Sequence, residues 1–505
     1  GWGDTDKSFS NISTAMLVRA AFHLSGVAAS HAGVLQRLDE YIERIGGVAA
    51  VRRRYGKDQT FSVPILTNAA LAGQVDWSQV DPLPFELACL PHSFYAALQL
   101  PVVSYALPAL IAVGQVRHAQ RPSMNPVIRA IRNLAVRRSL AKLEAIQPTS
   151  GGFLEATPLT SFVLMSLVGA GRPDHPVAHS AIEFLVESAR PDGSWPIDSN
   201  LSVWLTTLSV NALSTGEPLP HADRTRDWIL AQQCRTIHPY TNAAPGGWGW
   251  SHLSGSVPDA DDTPGALLAL ANLPMTERSR SAATAGVGWL LDLQNDDGGW
   301  PTFCRGWTNL PFDRSGDDLT AHAIRSLLRW ADDVRLLRGG PSNLPRRIRA
   351  AVARGRTHLQ RTQRGDGSWL PLWFGNQHAD DDINPVYGTA RVLAAWRGLE
   401  HAGASRRGRA FLRNVQGSDG GWGGDRGIAP SVEETALACE ALCDSPEAAD
   451  RAAAARGLDW LASRVLDGSF VEPSPIGFYF AKLWYYEKLY PIIFAAAALG
   501  RASRR

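Results

Sequence analysis

Three carboxylates within four residues, Asp259, Asp261 and Asp262, stand ahead of the apolar run Ala266-Leu-Leu-Ala-Leu270 in the stretch Pro258-Asp-Ala-Asp-Asp-Thr263. Acidic residues at a helix start satisfy free backbone N–H groups and the positive end of the helix dipole, so a cap is the plain reading. Three of them overshoot a cap. Crowded like charges, and burial with them, raise the pKa of at least one, which leaves a carboxylic acid protonated near neutral pH and able to donate its proton. A second group, Asp317-Asp318-Leu-Thr-Ala-His322, sets Asp318 and His322 four residues apart, on one helix face and within hydrogen-bond reach of each other. That pattern is either a solvated ion pair or a histidine held by an aspartate so that it polarises a neighbouring acid.

The elements that must position these groups announce themselves as a repeat. The phrases Gln294-Asn-Asp-Asp-Gly-Gly-Trp300, Gln363-Arg-Gly-Asp-Gly-Ser-Trp369 and Gln416-Gly-Ser-Asp-Gly-Gly-Trp422 are clean copies. Weaker copies end at Trp195 and Trp248, and at Phe153 and Phe470 with phenylalanine in place of tryptophan. A period of about fifty residues is two helices and their connections. Apolar helical runs flank each phrase, and the Asp-Gly or Gly-Gly pair supplies a turn between them. Alternating β-branched runs are scarce, so the expectation is an all-α toroid or solenoid in which Gln and Trp brace adjacent helix ends.

With 505 residues there is length for two domains. Charge is balanced, 50 Lys+Arg against 48 Asp+Glu, which argues against a nucleic-acid partner. The five cysteines are scattered and odd in number, as in a reducing compartment, so the location expected is cytoplasmic, with a peripheral contact to the inner face of the membrane as a further expectation. From Leu87 to Val116 no Asp, Glu, Lys or Arg occurs, a stretch open to three readings: buried core or pocket lining, a membrane-dipping surface, or a span. Pro91, Pro101 and Pro108 break it. The chain opens on Gly1-Trp2-Gly3-Asp4 with no signal-peptide pattern, and Gly1-Trp2-Gly3 looks like the end of another turn phrase, so an upstream segment is expected.

The stretch from Asp259 to Thr263 after a Gly-Gly-Trp turn resembles the DxDD signature of squalene–hopene cyclases and, more broadly, of class II terpene cyclases. Asp318-Leu-Thr-Ala-His322 resembles their Asp-x-Thr-Ala-His segment, and the Gln…Gly-x-Trp phrases their QW motifs. Gly367-Ser-Trp-Leu-Pro-Leu-Trp-Phe-Gly375 leading to Tyr387-Gly-Thr389, and the tail Phe478-Tyr-Phe to Tyr490-Pro491, are similar to further family segments. The resemblance implies two α/α-barrel domains, a γ-like one over residues 1–195 and a β-like one over 196–505 that carries the acid motif, with an apolar cavity between them. It implies Asp261 as proton donor, Asp259 and Asp262 as its flanking partners, and His322 with Asp318 behind it. Trp250, Trp307, Trp373, Tyr387, Trp484 and Tyr486 are the candidate rings to stabilise carbocations. Two departures concern cavity shape: the stretch from Trp373 to Tyr387 is longer than its hopene-cyclase counterpart, and Leu483 falls where those enzymes have a ring.

No Asp-Asp-x-x-Asp pattern occurs, so metal-triggered loss of diphosphate is unsupported, and protonation of a terminal double bond remains. The expected substrate is a linear isoprenoid, best a prenyl diphosphate that keeps its headgroup, of the farnesyl-to-drimenyl diphosphate kind, with geranylgeranyl diphosphate next and squalene-to-hopene chemistry as the alternative. A diphosphate would bring Mg²⁺, for which Asp380, Asp381 and Asp382 are weak candidate ligands, and squalene would need no cofactor. Arg52, Arg53 and Arg54 with Lys57 form either a solvated face or a headgroup site. A noncatalytic toroid that binds a partner is the remote alternative. Oligomeric state is left open.

Overall fold

The computed structural model describes residues 1–56, 59–91, 94, 106–214, 219–239, 241–303, 305, 311–331, 343–397, 402–477 and 482–504. Among them nineteen α-helices form, and β pairing is confined to isolated bridges such as Trp300 with Gly316. The chain is all-α, and it divides into two compact units.

The first unit comprises Gly1–Asn200 with the short segments Pro239–Asn242 and Leu253–Ser256. Its helices are α1 (Ile12–Leu24), α2 (Ala32–Ile45), α3 (Gly47–Tyr55), α4 (Gln59–Leu71), α5 (Leu107–Gln120), α6 (Pro126–Ile146), α7 (Thr157–Gly169) and α8 (Pro176–Glu187). Asn125 caps α6, its side chain accepting from Val127 N and Ile128 N, with Pro126 at the first helical position. The apolar stretch noted in the sequence enters this unit: Ile111, Val113 and Val116 of α5 are fully buried, as core. Its residues 92, 93 and 95–105 lie outside the described residues.

The second unit is a closed ring. Its helices are α9 (Ser202–Leu213), α10 (Ala222–Ala231), α11 (Asp262–Asn272), α12 (Glu277–Leu293), α13 (Asp317–Ala331), α14 (Leu344–Thr362), α15 (Pro385–Ala395), α16 (Gly403–Val415), α17 (Val432–Leu442), α18 (Ala448–Asp467) and α19 (Leu489–Ala502). The odd-numbered helices α9, α11, α13, α15, α17 and α19 pack each against the next, and α19 returns to α9. The even-numbered helices α10 to α18 pack outside them. Trp204 of α9 donates its Nε1–H to the Tyr490 hydroxyl of α19 at 2.9 Å across the closure.

The repeat phrases build the joints of this ring, each with the same set of bonds. In the phrase ending at Trp300, Gln294 donates to Gly298 O at 2.7 Å and to Ala351 O of α14 at 2.9 Å. The Trp300 indole N–H reaches Leu290 O at 2.8 Å, and its backbone N–H reaches the Thr320 hydroxyl at 3.0 Å. Gln363 with Trp369, and Gln416 with Trp422, repeat these contacts. One glutamine thus ties its own turn to the next outer helix, and one threonine ties the turn to the next inner helix. The first turn glycine is required: a Cβ on Gly298, at φ +92°, would lie 2.6 Å from Arg354 O. Trp248 is served by Gln233 from well upstream, which donates to Gly246 O and Ala282 O. The sequence phrase misses that partner because an insertion separates the two. Trp248, Trp300, Trp369 and Trp422 are fully buried, while Trp195 is 51% exposed although it keeps its bond to Leu185 O.

Candidate active site

Inside this ring the acidic motif opens α11. Asp259 is the cap: its Oδ1 accepts from Asp261 N and Asp262 N, both at 2.7 Å. Thr263 closes the turn, accepting from Trp248 N at 2.9 Å and donating to Trp248 O at 3.2 Å. The bland role foreseen for the motif thus falls to Asp259, and Asp261 is left with no cap bond from its side chain. Burial, then Asp261's charge, raises the Asp259 carboxyl well above the usual range, against the bonds from Asp262 and Asp261. Asp262 is pushed up likewise, by burial and by the charge of Asp259.

His322 Nδ1 lies 2.9 Å from Asp261 Oδ1. The sequence spacing had paired His322 with Asp318, and the structure corrects this: Asp318 Oδ1 accepts from Leu372 N at 3.0 Å instead. Adjacency on a helix makes such a pair available, but a backbone N–H with no other partner takes the carboxylate first. Burial, with Asp261's charge next, raises Asp318 to about 7. Burial also lowers the pKa of His322 against the pull of Asp261, which favours the neutral imidazole.

Asp261, Asp318 and His322 line a small cavity together with Arg325, Tyr387 and Arg391. It has room for about one water molecule. Tyr387 is buried, packs against Phe374 with the rings tilted and their centroids 4.7 Å apart, and has its hydroxyl pushed above its ordinary value by burial. Arg391 lies over the Tyr387 ring at 5.1 Å and over Phe494 at 5.3 Å. Sequence reasoning passed over both arginines, although Arg325 follows His322 by three residues and Arg391 follows Tyr387 by four, the spacings that share a helix face.

The candidate cation-stabilising rings divide. Trp250 and Trp373 join Phe303 and Phe312 in one aromatic cluster, with centroids 5.3 to 6.3 Å apart. That cluster adjoins the acid turn, since Ala260 N donates to Thr302 O at 2.8 Å and Thr302 N to Phe312 O at 3.2 Å. Trp484 is buried, packed against Gly477, and neither it nor the half-buried Tyr486 is among the residues that line the cavity. Trp307 lies outside the described residues.

The acidic run does not fit a metal site. Asp380–Asp382 form a short 3₁₀ turn, and Asp382 is paired with Lys482 at 2.7 Å. Among the described residues no three His, Cys, Asp or Glu side chains gather as ligands. What holds the long stretch from Trp373 to Tyr387 is instead a pair of amides: Asn376 and Asn384 donate to Glu434 Oε1 at 3.1 and 3.0 Å. Of the basic cluster, the exposed Arg52 and Arg53 donate to Gln79 O and Ile45 O. Lys57 is outside the described residues.

An acid turn set in a ring of paired helices is the architecture of terpene cyclases that start by protonation. The chain's fold matches ent-copalyl diphosphate synthase from Streptomyces platensis with TM-score 0.52 and 18% identity, over 90% of this chain and 91% of that one. The profile of the squalene–hopene cyclase C-terminal domain matches residues 199–504. The chain therefore belongs to the class II terpene cyclases of the squalene–hopene cyclase kind, which are intramolecular cyclases, isomerases by reaction type. A probable squalene–hopene cyclase of Sinorhizobium fredii is 25% identical over 84% of this chain and 76% of its own length. Drimenyl diphosphate synthase of Streptomyces showdoensis is 28% identical over 64% of this chain and 55% of its own. Of several other curated relatives the chain spans less than half the length.

Proposed function

We propose that the protein cyclises a linear isoprenoid by protonating its terminal double bond with Asp261. The observation that carries this reading is the 2.9 Å contact between Asp261 and His322 beside a small polar cavity. A neutral His322 that donates its Nδ1–H to Oδ1 leaves Oδ2 to carry the acid proton. In the step itself the O–H bond breaks, the alkene's π pair forms a new C–H bond, and a carboxylate and a tertiary cation remain. Ring closure moves the cation along the chain, where aromatic faces such as Trp250 and Phe303 stabilise it, and loss of a proton ends the reaction. The proton balance is zero, as an isomerisation requires.

For the substrate we infer a prenyl diphosphate that keeps its headgroup, farnesyl diphosphate to a drimenyl-type bicycle. End-to-end likeness in fold to a cyclase named for a diphosphate product, and a drimenyl diphosphate synthase among the relatives, support this reading. Squalene is the second reading, favoured by the family profile and by the Sinorhizobium relative. Incubation with farnesyl diphosphate, geranylgeranyl diphosphate and squalene separately, with and without Mg²⁺, decides between them. A cyclic product extracted only after phosphatase treatment supports the diphosphate, and direct extraction of a hopene-like hydrocarbon overturns it.

We also propose a peripheral contact with a lipid surface through α6. No helix among the described residues is long and apolar enough to cross a membrane. Met124, Val127, Ile128, Ile131 and Leu134 are nevertheless exposed at helical spacing, Leu134 at 80%, beside the exposed Arg129, Arg137 and Arg138. Such a face suits an anionic lipid interface. Co-sedimentation with phosphatidylglycerol vesicles is expected, and Leu134→Glu should lower the bound fraction severalfold. Equal binding by that variant overturns the contact.

A further inference from the structure

A carboxylic acid protonates an alkene only if the carboxylate it leaves behind is well stabilised, so some fixed positive charge must face Asp261. His322 is poorly placed to supply it, because burial and the neighbouring arginines favour its neutral form. Asp318, pushed by burial to about 7, adds at most a negative charge. The cations that share the cavity with the acid are Arg325 and Arg391.

We propose that Arg391, supported by Arg325, is the positioning residue that stabilises the Asp261 carboxylate once the proton has gone. This deepens the reading of Asp261 as acid and rests on it. The charged and titratable groups that line the cavity or act on its lining residues come from several helices. The start of α11 brings Asp259, Asp261 and Asp262, and α13 brings Asp318, His322 and Arg325. Tyr387 and Arg391 come from α15, with Arg397 just beyond its end. Glu440 stands on α17, and Tyr490 and Arg501 on α19. Arg397 binds Glu440 at 2.8 Å, and Arg501 approaches the same oxygen at 4.0 Å.

The charges are therefore graded. Burial opposes the charge on Glu440, but Arg397, Arg325 and Arg501 outweigh it and hold its carboxyl down at about 2. Burial lowers Arg325 to about 9, helped by the arginines beside it. Arg391 behaves in the opposite way: burial works against its charge, yet Tyr387, Asp261 and Glu440 raise it overall. It is thus the cation whose charge the acid itself reinforces. The Tyr387 and Phe494 ring faces fix its guanidinium, so no reorientation is needed when the proton leaves.

The test compares Arg391→Met and Arg391→Lys with the parent protein on farnesyl diphosphate and on squalene, reading kcat and KM across pH. Arg391→Met should lower plateau kcat about 100-fold with KM within about twofold. It should also move the limb at which activity falls with rising pH upward, because a carboxylate that has lost its neighbouring cation is harder to form. Arg391→Lys should restore most of both. Glu440→Gln, which removes the opposing charge, should move the same limb downward. A fall in kcat with an unmoved limb marks a merely structural role and overturns the inference, as does wild-type kcat in Arg391→Met. If neither substrate turns over, ¹³C-carboxyl NMR of aspartate-labelled protein reads the same shift, with Asp261→Asn identifying the signal. An unmoved signal in Arg391→Met again overturns it. Turnover retained by Asp261→Asn overturns the underlying reading itself, whereas an inactive Asp261→Asn beside an unaffected Arg391→Met overturns the arginine's role alone.

Discussion

Two helix starts in the second unit are built on one plan and differ in what their carboxylates can reach. At α11, Asp259 caps, Asp261 and Asp262 follow, and Thr263 clamps Trp248. At α17, Ser431 caps by accepting from Glu434 N at 3.1 Å, Glu433 and Glu434 follow, and Thr435 clamps Trp422 at 2.9 Å. Glu433 therefore stands in the register of Asp261. Yet Glu433 is fully buried and its Oε1 accepts from Ser474 N at 2.9 Å, while Glu434 is pinned by two asparagine amides. The Asp261 side chain keeps 23% of its surface accessible and meets a histidine. A buried carboxyl at a helix start is thus a feature of the repeat, and access with a titratable partner is what separates an acid from a structural pin.

The sharpest break between the two is mutational. Asp261→Asn should lower turnover by at least about 10³-fold while circular dichroism and melting stay those of the parent protein, since the change is nearly isosteric. Glu433→Gln should leave kcat within about twofold, and a large loss there would erase the distinction. His322→Ala comes next: losing a hydrogen bond to the acid is worth about 10- to 100-fold in kcat, read at saturating substrate. Asn384→Ala leaves Glu434 short of a donor and removes the cap that accepts from Tyr387 N at 3.0 Å at the start of α15, at about 1–3 kcal/mol of stability, read by urea unfolding.

The smallest effect is one of pH. Burial, with Glu434's charge next, pushes Glu433 up to about 8, above the ordinary value of 4.5. A raised carboxyl contributes stability that is full below its unfolded pKa and is lost as pH rises through the folded one. The melting temperature should fall between about pH 5 and pH 8, and Glu433→Gln should flatten part of that fall by a few degrees. Identical slopes in the two proteins would show that Glu433 is ionised in the fold.

The repeat was legible because its bonds are local. Gln294 reaches Gly298 four residues on, and the Trp300 indole reaches back ten residues to Leu290. The acid turn was legible for the same reason. What failed to show were partners from other helices: His322 meets Asp261 from 61 positions away, and Asp318 is taken by Leu372. Arg325 and Arg391 were not singled out, since a single sequence gives no sign that their helices form the inner wall of a ring. In the long stretch before Tyr387 the three aspartates drew the eye, but Asn376 and Asn384 do the holding.

The bond from Trp204 to Tyr490 joins the first inner helix to the last, 286 positions apart. Until α19 arrives, α9 and α17 present apolar flanks with nothing against them, and every earlier joint can already have formed. Closure is therefore the long-range, slow step of assembly, and a chain still being synthesised is an open arc with two sticky ends. Such an arc is a client for chaperones and a template for exchange of α19 between neighbouring copies, a hazard that the finished ring no longer carries.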